Sequence, residues 1–173
     1  MRRTLTTTAT AVVLFTGLTA CSDSKTLSSS GYTGSTAKAA PSTPSTASTA
    51  FTKLTAKVTT VHLSGTVTAE NDPNHLLGRP NQYTSKVTFT DSRIKPADVA
   101  GTEKGAVERG GAIEVFTHPA DAAARAKYIQ AVTKSMPVLA EYDYVHGTVV
   151  VRVSHYLTPK QAAEYKSAAN GLG

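Results

Sequence analysis

Glu141-Tyr142-Asp143-Tyr144-Val145-His146-Gly147-Thr148-Val149-Val150-Val151-Arg152-Val153-Ser154 is the stretch on which the reading of the fold turns. It predicts two β-strands, Glu141–Val145 and Thr148–Ser154, folded back on each other at His146-Gly147. Residues along a strand alternate between its two faces. Val149, Val151 and Val153 therefore share one face, and Arg152 points from the other.

On the C-terminal side, Thr158-Pro159-Lys160-Gln161 is a capping box with proline at the first helical position. It predicts a helix through Ala162, Tyr165 and Ala169 that stops at Gly171. On the N-terminal side, Pro119 opens a helix over 120–134, with Ala122, Ala126, Ile129 and Val132 as its apolar stripe and Pro137 as its end. Before it, Gly110-Gly111 leads into a strand from Ala112 to Phe116, and Ser85–Asp91 alternates as another. Phe51, Leu54, Val58 and Val61 recur at helical spacing and predict a first helix.

The expected fold class is α+β, in the order α-β-β-α-β-β-α. Its small antiparallel four-stranded sheet would run 86–91, 112–116, 148–154, 141–145, with helices mainly on one face, as in a permuted ferredoxin-like sandwich. In that drawing Glu114 faces away from Ile113 and Val115, and shares the uncovered polar face with Arg152. The two charged ends should lie within ion-pair reach.

Upstream of this domain the composition changes. Residues 22–50 are roughly half Ser or Thr, with Leu27 and Tyr32 the only large apolar side chains. Such a stretch buries too little apolar surface to offset its ordering entropy. It reads as a tether, residues 21–50, with a mean span of roughly 30 Å, followed by a single domain over 51–173. Ala40–Thr46 is either a plain linker or a site of O-glycosylation.

Residues 1–20 read as a secretory signal: Arg2 and Arg3, an apolar run densest at Ala11–Phe15, then small residues up to Cys21. The run is much shorter than the ~20 apolar residues of a membrane span. Leu18-Thr19-Ala20-Cys21 resembles the lipobox of bacterial lipoproteins, which implies that Cys21 is acylated (a diacylglyceryl thioether, with or without an N-acyl chain) and held on the outer face of the cell membrane. An ordinary signal peptide with a chance cysteine is the competing reading. Cys21 is the chain's single cysteine, so no internal disulfide forms.

Several stretches of the domain are also similar to an uncharacterised lipoprotein domain of Gram-positive bacteria. They are Asn71-Asp72-Pro73-Asn74 with Leu76–Pro80, Tyr83–Lys86, Gly110–Phe116, Asp121-Ala122 with Arg125, Glu141-Tyr142 through Arg152, and Leu157-Thr158-Pro159 with Gln161-Ala162 and Glu164-Tyr165. The resemblance supports the lipoprotein reading and implies no catalytic residue.

The functional candidates are Arg79, Tyr83, Glu114 and Arg152. Leu76–Tyr83 places two leucines in a polar, Gly/Pro-punctuated loop. Either Arg79 and Tyr83 line an anion or sugar pocket, or the leucines plug the core and Arg79 pairs with a carboxylate. Asp121 and Arg125, four apart, read as a surface pair. Histidines 62, 75, 118, 146 and 155 are too scattered for a metal site, and no cofactor is expected. Ser64-Gly65 and Ser154-His155 lack the setting of a nucleophile elbow. The absence of Trp weighs against a carbohydrate-stacking platform. The formal charge falls from +6 to +4 on loss of Arg2 and Arg3. That suits loose association with anionic envelope polymer, and no Lys/Arg cluster suggests nucleic acid. The expected protein is a lipid-anchored, extracytoplasmic, non-enzymatic binding module. The alternative is a small envelope enzyme with its site around Arg79, Glu114 and Arg152.

Cys21→Ser is expected to release the protein from the membrane fraction on cell fractionation. Fully processed, membrane-retained C21S protein would refute lipidation.

Overall fold

In the computed structural model, residues 45–173 are described; Cys21 and the signal and tether up to residue 44 lie outside them. The elements are α1 (Ala47–Thr55), β1 (Val61–Thr66), β2 (Ser85–Asp91), β3 (Gly110–Val115), α2 (Pro119–Ser135), β4 (Glu141–His146), β5 (Val149–Ser154) and α3 (Pro159–Ala169), with short 3-10 turns between some of them. The fold is α+β. Its sheet is antiparallel throughout, with five strands in the order β1-β2-β3-β5-β4.

The fifth strand corrects the expected count of four and the element order. Val61–Thr66 lies on the edge beside β2, in a stretch where Val61 had been assigned to the first helix. The threonines after Leu54 favour extended backbone, and the helix stops at Thr55. A register shift between Leu63 and Gly65 marks a bulge at Ser64, whose hydroxyl donates to the Lys104 carbonyl at 3.0 Å.

The start of the domain also moves. The boundary expected at residue 51 falls inside α1, which opens with a reciprocal capping box between Thr46 and Thr49. Ala47 and Ala50 are fully buried, and Ala47 N donates to the Ser85 hydroxyl at 3.0 Å. Ser45 reaches the Leu172 carbonyl, so the described N-terminus meets the end of the chain. Small residues in this region read as tether by composition, but two of them pack against the sheet.

Alternation along the strands separates two unlike faces. Val87, Phe89, Ile113, Val115, Val151 and Val153 form the dry one, covered by Leu54 of α1 and by Tyr165, Ala168 and Ala169 of α3. The Tyr165 ring stacks on Phe89 with centroids 5.9 Å apart, and its hydroxyl donates to Asp91. Arg93 joins Asp91 to Glu164 of α3, at 2.7 Å to each. Gly111 has to be glycine: a Cβ there would run into the Arg152 carbonyl and the Phe89 ring.

The second face carries Lys86, Thr88, Ala112, Glu114, Val150 and Arg152, and α2 lies across its β4–β5 half through Ala122, Ala126 and Ile129. Helices therefore cover both faces, which corrects the one-sided ferredoxin-like drawing. Periodicity marks the side of α2 that is buried but not the side of the sheet it meets. Its two alanines and one isoleucine suit a face that already holds large charged side chains. Among the described residues no helix is long and apolar enough to cross a membrane.

A chain beginning at residue 51 is expected to melt below one beginning at residue 45, because it lacks the cap and the buried alanines. Thr46→Ala alone should cost about 1 kcal/mol in denaturant titration. Equal stability of the two truncated forms would show that α1 is not integral to the domain.

Candidate functional site

Glu114 is fully buried near the middle of the sheet. Its carboxylate receives three cations: Lys86 Nζ at 3.1 Å, Arg125 Nε at 2.9 Å and Arg152 Nη1 at 3.2 Å. Register supplies two of them. Lys86 stands directly opposite Glu114 on β2, and Arg152 pairs with Ala112, one diagonal step away on β5. The third descends from α2. Burial pushes the Glu114 pKa up, but Lys86, Arg152 and Arg125 outweigh it and hold the group down at about 2. It is ionised at any physiological pH and is no proton donor.

Arg152 extends the cluster to the edge strand. Its Nε and Nη2 each lie 2.8 Å from a Glu141 oxygen, a bidentate pair. Asp143 lies opposite Arg152 on β4 and on the same face as Glu141. Neither Asp143 oxygen accepts a hydrogen bond, although both are buried. Burial, reinforced by the neighbouring Glu141 carboxylate and opposed by Arg152, pushes the Asp143 pKa up to about 8. A neutral carboxyl here avoids both the cost of a buried charge without donors and the repulsion of the Glu141 carboxylate.

A second buried carboxylate builds the loop from Asp72 to Tyr83. Asp72 accepts from the backbone N–H groups of Asn74, Leu76 and Leu77 at 3.1, 2.8 and 2.9 Å, and from the Tyr83 hydroxyl at 2.7 Å. Burial raises its pKa; these donors, Tyr83 first, lower it further, to about 2. His75, Gly78 and Asn81 take positive φ angles of 50°, 74° and 61°, so the chain makes tight left-handed turns around this anchor. The buried Tyr83 ring meets Phe116 edge-on, and Leu76 and Leu77 pack beside it.

The four sequence candidates thus separate. Glu114 and Arg152 meet at 3.2 Å. Tyr83 approaches the same cluster with its ring, 5.0 Å from Lys86 Nζ and 6.0 Å from the Arg125 guanidinium, but it is a buried strut and lines no cleft described below. Arg79 is exposed and, among the described residues, makes no ion pair. The expected Asp121–Arg125 surface pair is corrected: Arg125 turns inward to Glu114. Sequence reasoning passed over Lys86, Glu141 and Asp143, and it considered Asp72 only as an oxygen ligand for calcium, not as the anchor of the loop. Lys86 had a usable signal, since it shares its strand parity with Thr88 and opposes Val87.

Three clefts open around this cluster. The first, about 600 Å³, lies over the half of the polar face that α2 leaves uncovered, with Thr88 and Lys86 on its floor and Ser64, Asn71 and Lys104 around it. The second, about 290 Å³, continues from it past Lys86, Gly105 and Ala106 to Arg125, Glu141 and Arg152. The third, about 650 Å³, lies between the 72–83 loop and α2. No family model matches the chain, and neither a curated protein nor a solved structure is significantly similar to it.

The raised Asp143 pKa sets a pH dependence. The folded state keeps a proton that the unfolded chain releases above about pH 4, so this group lowers stability as pH rises from about 4 to 8. Asp143→Asn keeps the shape of the side chain and carries no charge. It is expected to be more stable than the parent at pH 8, by on the order of 2 kcal/mol after discounting for partial exposure, and to show a flatter pH profile. A parent profile already flat between pH 4 and 8 would rule out the neutral carboxyl.

Proposed function

We propose that this chain is a non-enzymatic binding module, held on the outer face of the cell membrane by lipid on Cys21, and that its domain takes an extended anionic segment of envelope polymer. The observation that carries the reading is the continuity of the first two clefts over Lys86, Gly105 and Ala106. Together they make a groove along the polar sheet face, long enough for a chain-like ligand. Gly65, Gly105 and Ala106 keep it open; Lys104 supplies positive charge beside Glu103, Lys86 lies beneath it paired with Glu114, the Arg125 and Arg152 end also holds Glu108 and Glu141, and Thr88 and Ser64 supply hydroxyls.

The charge arrangement favours binding over catalysis. Acid–base chemistry needs a group that exchanges protons near the working pH and touches the substrate. Glu114 is locked ionised beneath three cations. Asp143, the group with a suitable pKa, lines neither cleft of the groove. Arg79, which the enzymatic alternative required, is not among the cations paired with Glu114 and lines neither cleft of the groove. The lipid anchor rests on the Leu18–Cys21 motif and the basic, apolar segment before it.

Polyglycerol phosphate is a defined anionic polymer for the test. The domain is expected to bind it more weakly as salt rises. Ala106→Phe, which fills the groove where its two clefts meet and belongs to no ion pair itself, should weaken binding about tenfold with an unchanged melting temperature. Binding indifferent to A106F would exclude the groove, and cleavage of the polymer would favour the enzyme.

A further inference from the structure

The 72–83 loop and α2 enclose a cleft of about 650 Å³ whose chemistry differs from that of the groove. It presents the side chains of Asn74, Asn81 and Gln82 from the loop, and Asp121 and Tyr128 from the helix. Primary amides offer both donors and acceptors, and a carboxylate offers acceptors. Vicinal hydroxyls of a sugar ring take such pairs, and the C–H face of a pyranose packs on an aromatic ring that keeps a wet edge. Tyr128 is 63% exposed, the most open aromatic ring in the domain. Among the described residues, the side chains of Asn81, Gln82 and Asp121 make no hydrogen bond within the fold.

The cleft is also built rigidly. Asn81 and His75 hold left-handed backbone, a conformation that side-chain-bearing residues keep when surrounding structure imposes it, and one that gathers at binding sites. Here the imposing structure is Asp72, which binds three backbone N–H groups of the loop and the Tyr83 hydroxyl. On the opposite wall, Arg125 lies 5.9 Å from the Tyr128 ring while its Nε is fixed on Glu114. The backbone that carries the amides is fixed before a ligand arrives, and the aromatic ring rests beside an anchored guanidinium, which reduces the ordering cost of binding.

We infer that the cleft between the 72–83 loop and α2 is a carbohydrate-binding site, in which Tyr128 stacks on a hexopyranose ring while Asn81, Gln82 and Asp121 bond its hydroxyls. The site adjoins the groove, whose second cleft also reaches Asn74, Arg125 and Tyr128, whereas Asn81, Gln82 and Asp121 line this cleft and neither part of the groove.

Maltotetraose, cellotetraose and chitotetraose are the probes, read by saturation-transfer NMR and by titration of the full chain. At least one is expected to bind at about 1 mM. Tyr128→Ala should weaken that binding about tenfold or more, and Tyr128→Phe, which keeps the stacking face, should restore it. Because Tyr128 is exposed, both variants should melt like the parent. Ala106→Phe should leave oligosaccharide affinity unchanged even where it abolishes polymer binding. No saturation transfer from any of the three sugars, full affinity in Y128A, or loss of sugar binding in A106F would each overturn the assignment.

Discussion

A fully buried carboxylate on the central strand is the constraint from which the rest of the polar half of this domain follows. An uncompensated ion inside a protein costs several kcal/mol, so Glu114 has to be surrounded before the sheet can close. The molecule draws one cation from each neighbouring strand and one from the helix above. That requirement fixes α2 over the polar face, with Arg125 pointing down, and aligns β2 and β5 so that Lys86 and Arg152 converge. Arg152 in turn pairs with Glu141, and the crowding of Glu141 and burial together hold the Asp143 pKa up. The ion pairs thus run from one sheet neighbour to the edge strand without leaving the face.

The other half obeys a different rule. Val87, Phe89, Ile113, Val151 and Val153 bury apolar area beneath α1 and α3, with no charge to satisfy. Each half still has its own buried acid held by a tyrosine hydroxyl: Asp91 with Tyr165 on the dry side, Asp72 with Tyr83 on the wet one. In both places a buried carboxylate fixes a loop or helix that apolar packing alone would leave free to slide. A buried hydrogen-bonded network specifies one arrangement, because every alternative strands a polar group.

Much of this was legible in the amino-acid sequence, and the reasons for the rest are physical. The valine alternation in β5 and the parity of Glu114 announce a two-faced sheet, and Thr158–Gln161 announces α3. The edge strand β1 escaped because Leu54, Val58 and Val61 continue a helical spacing across a helix end. The placement of α2 escaped because an alanine stripe fits either face of a sheet, and only Arg125 could have decided the matter. For the site, mid-strand charges were a usable signal and identified Glu114 and Arg152. The anchoring role of Asp72 was invisible for a different cause: a residue that binds backbone N–H groups leaves no trace in the spacing of other side chains. Tyr128 carried no periodic mark at all, since an exposed aromatic on a helix reads as ordinary surface.

The way the described chain begins has a mechanical side. Ser45 and Thr46 enter α1, whose first residue bonds Ser85 and whose start lies against Leu172. A load drawn through the N-terminal segment therefore arrives at a helix seated by Ala47, Ala50 and Leu54, with no ladder of backbone bonds to the sheet. Packed side chains separate one after another under tension, whereas the rungs of an antiparallel sheet pulled along its strands must break together. Tension entering through α1 thus meets side-chain packing before it meets the backbone ladder of the five-stranded sheet.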